Sequence, residues 1–411
     1  MAGIDVISDT TGKDMVEQLK RQNTLLSVIS SVISGASQKD FIQSWDAVAQ
    51  AVAGGYGPSL FSIGSTFTEP WKDTANNNTS YDNPWRVNHF SDVELQDGTT
   101  VPGMWLQNVY AHPFGVQFSH HRAFYACPDG LEAGTYNVGF DASWDTNVVK
   151  GKIYQFTLTK AVEKGGRLAG FYRIPDTKPD EWKVYSYGAD GKTLNETVSV
   201  AEGTEGTALG MMQAIARSGN LNCFQEVGYG WNRWSTSALR QYLNSSRPKG
   251  EWWTQQDQWD IAPDELASKD GYLCGMDQEM LNNILPIKTI TYSNAVNSAG
   301  ADDFDTTYDK VNLISLEQMY INPQHAGEGE AHEYWKRVNG TATKWQQWNT
   351  YPILKHYAVE NHSSVQPVRL RSANRGDALD TWLVTSSGVV DYDGASWSAR
   401  FAPLVVIGKS K

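Results

Sequence analysis

The stretch of sequence that decides the fold runs from residue 371 to residue 406 and reads RSANRGDALDTWLVTSSGVVDYDGASWSARFAPLVV. Its two ends, 371–376 and 400–406, form a frame of basic, small and apolar residues. Between them, small, acidic, aromatic and aliphatic residues follow one another with the period of neither a helix nor a strand. Lys, Glu, Gln and Met are absent from the whole stretch, although they are common elsewhere. A constant frame with chemically mixed contents predicts a scaffold that carries an interchangeable binding surface.

This pattern resembles the variable region of proteins that are diversified by diversity-generating retroelements. In that family the adenines of a template repeat are randomised, usually in Asn codons of the AAY type. Such codons cannot yield Lys, Glu, Gln, Met or Trp, so the resemblance implies that Trp382 and Trp397 belong to the frame. It also implies a set of variable, ligand-binding positions, which we name the variable set. These are Asp377, Leu379, Asp380, Leu383, Thr385, Val389, Asp391, Tyr392, Asp393, Gly394, Ser398 and Ala399.

A diversifiable surface needs an invariant apolar support, because exposed positions tolerate substitution at a cost of about 0.5 kcal/mol or less. Each buried aromatic anchor contributes roughly 2 to 3 kcal/mol. We expect the variable side chains to share one exposed face and the anchors to lie beneath it. The predicted anchors are Trp382, Val384, Phe401, Pro403, Val405 and Val406.

Length, composition and net charge limit which classes of protein this chain could belong to. A chain of 411 residues is long enough for two or three domains, each with its own core. The 36 glycines and 16 tryptophans are typical of β-rich, loop-rich binding proteins. The net charge of −12 argues against a nucleic-acid partner, because phosphate binding needs a clustered basic surface.

Three cysteines, Cys127, Cys223 and Cys274, lack the spacing of a disulfide framework or a zinc site and predict buried, reduced thiols, as in a chain folded in the cytosol. The first nine residues show no secretion or lipoprotein signal, and no segment is apolar enough to insert into a membrane.

We expect an α+β chain of three parts, beginning with a helical attachment or oligomerisation segment over residues 1–57. Apolar residues recur there with heptad spacing, which predicts a helix over 13–34. It either holds a homotrimer together, as in a related class of trimeric phage proteins, or packs on its own domain. The positions of this seam are Met15, Leu19, Gln22, Leu26, Ile29 and Ile33.

The middle part, 58–200, alternates short apolar runs with Asp-Gly turns, which predicts a β-sandwich-like domain. Its stretch 110–118 resembles a module of gut phage and prophage proteins. The last part, 201–411, is expected to hold a helix entered through Ser235, a second helix over 277–284, and a third that opens at the Ser315–Gln318 capping box. Helices first, then a Trp-rich stretch and C-terminal strands resemble the C-type lectin-like fold in its formylglycine-generating-enzyme-like form.

Several motifs that could carry chemistry are incomplete. His332-Glu333 lacks the second His of a zinc-protease helix, and the four aspartates between 302 and 309 lack the Gly and closing Glu of a calcium loop, which predicts a solvated loop. Gly191-Lys192 is more simply a hairpin turn than a phosphate loop. Formylglycine-generating enzymes need a cysteine pair in the C-terminal half, and no cysteine follows Cys274. We therefore predict no enzyme activity, no metal and no cofactor.

The resemblance implies a retroelement-diversified phage tail protein, located in the virion after synthesis in the host cytoplasm. It would attach to a variable protein or glycan on the bacterial surface and contact other tail proteins through the N-terminal segment. Two alternatives remain open: a diversified bacterial adhesin or intracellular binding module, and a non-binding structural component of a tail or baseplate.

Overall fold

The structure of the protein is a computed structural model that describes residues 15–16, 18–19, 44–120, 123–127, 129–140, 153–169, 183–189, 193–203, 207–212, 225–226, 232–256, 260, 262–296, 302–375 and 380–410. Helices account for 17% and strands for 40%, so the chain is α+β, as predicted. None of the helices in these ranges is long and apolar enough to cross a membrane.

The chain forms two compact units, which differ from the predicted three-part division. The first contains Met1–Phe118, Asn232–Trp253 and Asp264–Lys411, and the second contains Ser119–Trp231 and Thr254–Pro263. Strand β5 from the predicted middle part pairs with β24 from the predicted last part, which is why both lie in the first unit. Such long-range pairing is invisible in local sequence.

The α-helices are short. They are α1 Trp45–Ala53, α2 Gly57–Leu60, α3 Ala238–Leu243, α4 Gln278–Asn282 and α5 Glu333–Asn339. Most of the predicted helix over 13–34 lies outside the described residues. Within it, Met15 and Leu19 are helical and about half exposed.

The strands are β1 Thr66–Thr68, β2 Trp71–Asp73, β3 Thr79–Tyr81, β4 Pro84–Glu94, β5 Thr100–Asn108, β6 Val116–Gln117, β7 Ala123–Cys127, β8 Gly134–Phe140, β9 Ile153–Leu158, β10 Gly166–Ala169, β11 Lys183–Tyr187, β12 Leu194–Glu202, β13 Thr207–Met212, β14 Gln225–Glu226, β15 Ile287–Val296, β16 Asp302–Asp309, β17 Val311–Asn312, β18 His356–Tyr357, β19 Val365–Gln366, β20 Val368–Ala373, β21 Asp380–Val384, β22 Val390–Gly394, β23 Ser398–Phe401 and β24 Leu404–Ile407.

The first unit is organised around two five-stranded sheets. One has the order β1-β4-β5-β24-β17, and the other has the order β22-β21-β20-β23-β6. All six predicted anchors are buried, and Trp382 and Phe401 have no exposed surface. The final strand, β24, lies between β5 and β17, so both of its edges are hydrogen-bonded, and all four of its residues are buried. The apolar end of the frame is therefore buried because it occupies an interior strand.

The second unit contains one eight-stranded sheet of order β13-β8-β9-β12-β11-β10-β7-β14. Tyr154, Leu168 and Val184 lie in its core. The strands predicted near 134, 153 and 183 are present, and β11 and β12 pair antiparallel. The turn predicted at Gly191 and Lys192 lies outside the described residues. The strand predicted near 101 is β5, which belongs to the first unit.

One predicted helix is confirmed, and another begins at a different residue. The predicted helix over 277–284 is confirmed as α4, and the side chain of Asp277 accepts a hydrogen bond from the Met280 amide at 2.9 Å. The helix expected to enter through Ser235 is capped instead by Ser237, because a 3-10 turn, Trp234–Thr236, comes first. The Ser235 hydroxyl donates to Asp305.

The capping box at Ser315 forms without a helix. The Ser315 amide donates to Gln318 Oε1 at 3.2 Å, and the Gln318 amide donates to Ser315 Oγ at 3.1 Å. The chain then leaves helical geometry at Tyr320, whose φ is 60°. Both reciprocal bonds are satisfied, but only a turn results.

The aspartates near 305 form strand β16 rather than the predicted solvated loop. Asp305 accepts from Arg233, and Asp309 accepts from Arg240 Nε at 2.6 Å and from Trp234 Nε1 at 3.0 Å. These cationic and indole donors explain the acidic residues in structural terms. Cys127 is buried, and burial raises its pKa to about 12, whereas Cys274 is a half-buried free thiol. Cys223 lies outside the described residues.

Candidate ligand-binding surface

Strands β21 and β22 form an antiparallel hairpin that carries much of the variable set. Trp382 lies opposite Tyr392, and Leu383 lies opposite Asp391. Residues directly opposite each other project to the same side of a sheet, and successive residues project to opposite sides. The hairpin therefore has a tryptophan face, with Trp382 and Tyr392, and a leucine face, with Leu383 and Asp391.

Three aromatic rings meet on the tryptophan face, and we name them the aromatic platform. The ring centroids of Trp348 and Tyr392 are 5.0 Å apart, those of Trp348 and Trp382 are 5.3 Å apart, and those of Trp382 and Tyr392 are 5.8 Å apart. All three pairs are edge-to-face, the arrangement that the aromatic quadrupole favours. Trp382 is fully buried, whereas Trp348 is 54% and Tyr392 38% exposed. Two rings thus face solvent while packed on a fixed third ring.

Trp348 was not identified from the sequence. Its backbone is left-handed, with φ of 69°, a conformation that costs a non-glycine residue roughly 1 to 3 kcal/mol. Its amide donates to the Val390 carbonyl at 2.7 Å, which ties the residue to β22. The sequence 345–348 has a tryptophan at each end, yet Trp345 is buried and Trp348 exposed. Only the fold distinguishes them, so the sequence held no sufficient signal.

A polar residue, Gln324, connects the platform to the rest of the frame. Its Oε1 accepts from Trp382 Nε1 at 3.1 Å and from the Arg375 amide at 2.7 Å. The Asn374 amide donates to the Asp380 carbonyl at 3.1 Å. The two ends of segment 376–379 are therefore held close together beside the platform. Asp377 and Leu379 of the variable set belong to that segment and lie outside the described residues.

The leucine face is held by a buried guanidinium group. Arg369 Nη1 donates to the Thr381 hydroxyl and to the Asp393 carbonyl at 3.2 Å, and Nη2 donates to the carbonyls of Gly394 at 3.0 Å and Trp397 at 3.1 Å. Burial lowers the pKa of Arg369 to about 10, so the group stays charged at neutral pH. Three of its four acceptors are main-chain carbonyls. The turn after β22 is thus fixed without regard to its side chains.

The variable set is not one exposed surface. Tyr392 and Ser398 are exposed, but Leu383 is 3% and Ala399 is 8% exposed. The expectation that these two are surface positions is wrong, because the faces of β21 and β23 from which their side chains project are covered. The half-buried members are Asp380, Thr385, Val389, Asp391, Asp393 and Gly394.

The register also separates the members that are exposed in part. Asp380, Tyr392 and Gly394 are on the tryptophan face, whereas Asp391 and Asp393 are on the leucine face. The prediction of a single shared face is therefore corrected. Trp397, expected in the frame, is 60% exposed and lies against Gly394. A residue predicted to belong to the constant frame can therefore be exposed to solvent.

Acidic and aromatic groups dominate the exposed chemistry. Asp391 Oδ1 accepts from the Tyr392 amide at 2.8 Å, and Asp393 Oδ1 accepts from the Gly394 amide at 2.7 Å, so one oxygen of each carboxylate is engaged locally. Across the described ranges, no group of three His, Cys, Asp or Glu side chains could hold a metal ion. The arrangement offers ring surfaces and hydrogen-bond acceptors, which are features of recognition.

Residues 205–402 match the sequence profile of a family described as a domain of unknown function (DUF6273). The chain matches no curated protein. It matches no solved structure either. The matched region includes α3, α4, α5 and the hairpin β21–β22. Over these residues, which include the whole aromatic platform, the chain is similar to DUF6273.

Proposed function

We propose that the chain is a non-catalytic binding protein that attaches to its ligand through the aromatic platform. The observation that carries the proposal is the exposure of Trp348 and Tyr392 while both rings pack on buried Trp382. Tryptophan and tyrosine dominate binding energy at interfaces because their large rings lose few rotatable bonds when they are covered. A rigid floor reduces that entropic cost further.

The strain at Trp348 supports the same conclusion. A left-handed backbone and a half-exposed indole are both unfavourable for the isolated fold. Residues in such conformations cluster at binding sites, where they position a side chain for contact.

We propose further that this protein belongs to the retroelement-diversified class and serves as a phage tail receptor-binding protein with a C-type lectin-like C-terminal region. Support comes from the codon-restricted composition of 377–399 and from the main-chain attachment of that region by Arg369. Homotrimerisation through the N-terminal segment would raise the avidity of weak single sites by orders of magnitude. The middle region would be the β-sandwich-like module that links the two.

The test compares two exposed tyrosines. Tyr392 is 38% exposed in the platform, and Tyr357 is 41% exposed on β18, which makes Tyr357→Ala a matched control. Wild-type protein and the variants Trp348→Ala, Tyr392→Ala and Tyr357→Ala would be titrated against a panel of bacterial cells, with bound protein measured by flow cytometry. Periodate-treated and protease-treated cells distinguish a glycan ligand from a protein ligand.

We expect Trp348→Ala and Tyr392→Ala to weaken binding about tenfold or more, as for hot-spot aromatics, with Tyr357→Ala unchanged. Equal losses in all three variants, or undiminished binding by the two platform variants, would reject the platform as the contact surface. Virions that fail to assemble after randomisation of the exposed positions Tyr392 and Ser398 alone would instead favour the structural tail or baseplate alternative. A host-encoded gene exported to the cell surface would favour the adhesin.

A further inference from the structure

A third exposed aromatic ring, that of Trp397, lies on the tryptophan face beyond the aromatic platform. Gly394 is on that face, opposite Asp380. A Cβ atom built on Gly394 would come within 3.3 Å of Trp397 Cδ1, so the indole occupies the space into which a side chain at 394 would project. Trp397 is 60% exposed. The glycine therefore lets this indole lie on the same face as Tyr392.

Trp348, Tyr392 and Trp397 follow one another along β22, and we name them the aromatic row. The Trp348 amide donates to the carbonyl of Val390, the first residue of β22, and Trp397 lies against Gly394, the last. Four residues of a strand span about 13 Å, which is longer than one sugar ring or one amino-acid side chain. The row therefore fits an extended chain better than a compact molecule.

The position of Trp397 is fixed by its main chain. Its amide donates to the Gly394 carbonyl at 3.0 Å, and its own carbonyl accepts from Arg369 Nη2 at 3.1 Å. The next residue, Ser398, donates its hydroxyl to Glu265. A residue that is already held in place loses little conformational entropy when a ligand covers it. Trp397 is thus prepared for contact in the same way as the two exposed rings of the platform.

The outer edge of β22 is closed to an added peptide strand. Alternate residues of a strand direct their N–H and C=O groups to the same edge. Those of Val390 bond to a segment other than β21, so the amides of Tyr392 and Gly394 point to that outer edge as well. Asp391 Oδ1 accepts from the Tyr392 amide at 2.8 Å, and Asp393 Oδ1 accepts from the Gly394 amide at 2.7 Å. A peptide that adds a strand needs free amides at the edge, and these two are occupied.

The charges near the row disfavour an anionic ligand. The residues that β21 and β22 place on the tryptophan face are Asp380, Trp382, Val384, Val390, Tyr392 and Gly394. Asp380 is the one charged residue among these six described positions, and Asp391 and Asp393 add carboxylates at the strand edge. The chain as a whole has a net charge of −12. An acidic polymer would be repelled, whereas an uncharged one would not.

Exposed rings beside polar groups match the chemistry of sugars. A pyranose ring has C–H groups that stack on the negative face of an aromatic ring, and hydroxyl groups around its rim. From β21 to β23, a stretch that the structure describes in full, the exposed large hydrophobic side chains are Tyr392 and Trp397, both aromatic. Exposed Asn349 and Ser398 follow two rings of the row in sequence and supply an amide and a hydroxyl for the sugar hydroxyls.

We propose that the aromatic row binds a linear chain of uncharged sugar residues, such as a neutral polysaccharide of a bacterial surface. The inference rests on the proposed function, because two of the three rings belong to the aromatic platform. Successive sugar rings stack along the row, and Asp391 and Asp393 keep a peptide strand from the edge of β22. Trp397 is the residue that extends the platform to the length of an oligosaccharide.

The experiment uses the full chain and a bacterial strain to which it binds in the flow-cytometry assay. Surface material of that strain is separated into protein, neutral polysaccharide and acidic polysaccharide, and each fraction is added as a competitor. The neutral polysaccharide is then partially hydrolysed, and calorimetry compares its fragments of two and six sugar residues. The variants are Trp397→Ala and Trp397→Phe, with Tyr357→Ala as the exposed aromatic control.

We expect the neutral polysaccharide to displace the chain from cells, and the longer fragment to bind about tenfold or more tightly than the shorter one. Trp397→Ala should weaken binding of the longer fragment about tenfold, as for a hot-spot aromatic, and Trp397→Phe should restore most of it. Tyr357→Ala should leave it unchanged. Because Trp397 is 60% exposed, the melting temperature of Trp397→Ala should stay close to that of the wild type.

Failure of the neutral polysaccharide to compete, equal affinity for the two fragments, or full binding by Trp397→Ala would each overturn the inference. If Trp348→Ala and Tyr392→Ala still weaken attachment to cells, such a result rejects the sugar chain along the row and leaves the platform as the contact surface. Undiminished attachment by those two variants would reject the proposed function as well.

Discussion

The tryptophan face and the leucine face of the hairpin β21–β22 differ in how they use the same two strands. On the first, Trp382 is the buried floor of two exposed rings. On the second, Leu383 is buried, and Arg369 binds the carbonyls of the following turn. One face presents side chains to solvent, and the other fixes the backbone. In this hairpin, exposed side chains are available for recognition, whereas buried side chains and main-chain atoms stabilise the fold.

Trp382→Ala tests the floor and has the largest expected effect. Removing a fully buried indole leaves a cavity and releases the Gln324 hydrogen bond, so we expect a loss of about 4 kcal/mol in the free energy of unfolding. Urea unfolding followed by fluorescence measures it. A loss below 1 kcal/mol would show that the floor is not part of the stabilising core.

Leu383→Ser and Asp391→Ser test the leucine face with two residues that lie opposite each other. Leu383 is 3% exposed, and its loss should cost about 3 kcal/mol, whereas half-buried Asp391 should cost about 0.5 kcal/mol. Thermal melts of the two variants give the comparison. Equal melting temperatures would restore Leu383 to the set of freely exchangeable positions.

Lowering the pH tests how a buried histidine affects the free energy of unfolding, without any substitution at the surface. Burial lowers the pKa of His356 from 6.5 to about 4. Between these two pH values the unfolded chain binds a proton at His356 and the folded chain does not, so a fall in pH favours unfolding. Stability is present above pH 6.5 and should fall by about 2 kcal/mol from this group alone at pH 5. His356→Gln should flatten the urea-unfolding difference between pH 7 and pH 5 by that amount. An unchanged pH slope would show that His356 is not the responsible group.

Tyr392→Ala tests the exposed ring and has the smallest expected effect on stability. The ring is 38% exposed and makes edge contacts with two tryptophans, so we expect a loss of about 1 kcal/mol or less. Differential scanning calorimetry measures the change. A loss equal to that of Trp382→Ala would erase the distinction between floor and surface.

The sequence revealed the parts of this region that depend on local chemistry. The burial of the six apolar anchors and the helix predicted over 277–284 follow from side-chain type and spacing, and both are confirmed. The positions of Leu383 and Trp348 depend instead on which strands become neighbours. Leu383 is buried because the face of β21 from which it projects is covered, whereas Trp348 is held beside β22 by its amide and keeps an exposed ring. Local patterns do not carry that information.

The division of the chain into two units depends on the same kind of long-range information. Strand β5 shows the alternation expected of a middle β domain, yet β24 pairs with it almost three hundred residues later in the chain. Ser315 shows the converse case, since its capping bonds form but the chain turns away at Tyr320. In both cases the local pattern was predicted correctly, but the tertiary structure around it was not.

The hydrogen bonds that Arg369 donates to the turn after β22 have a practical consequence. Its carbonyl acceptors at Asp393, Gly394 and Trp397 exist in every amino acid, proline included, so substitution of these side chains cannot delete them. Thr381 is the single partner whose identity matters. A combinatorial library built at positions 391–394, 397 and 398, with Arg369, Thr381 and the buried Ala395 and Ser396 held constant, would therefore keep these main-chain acceptors in every member.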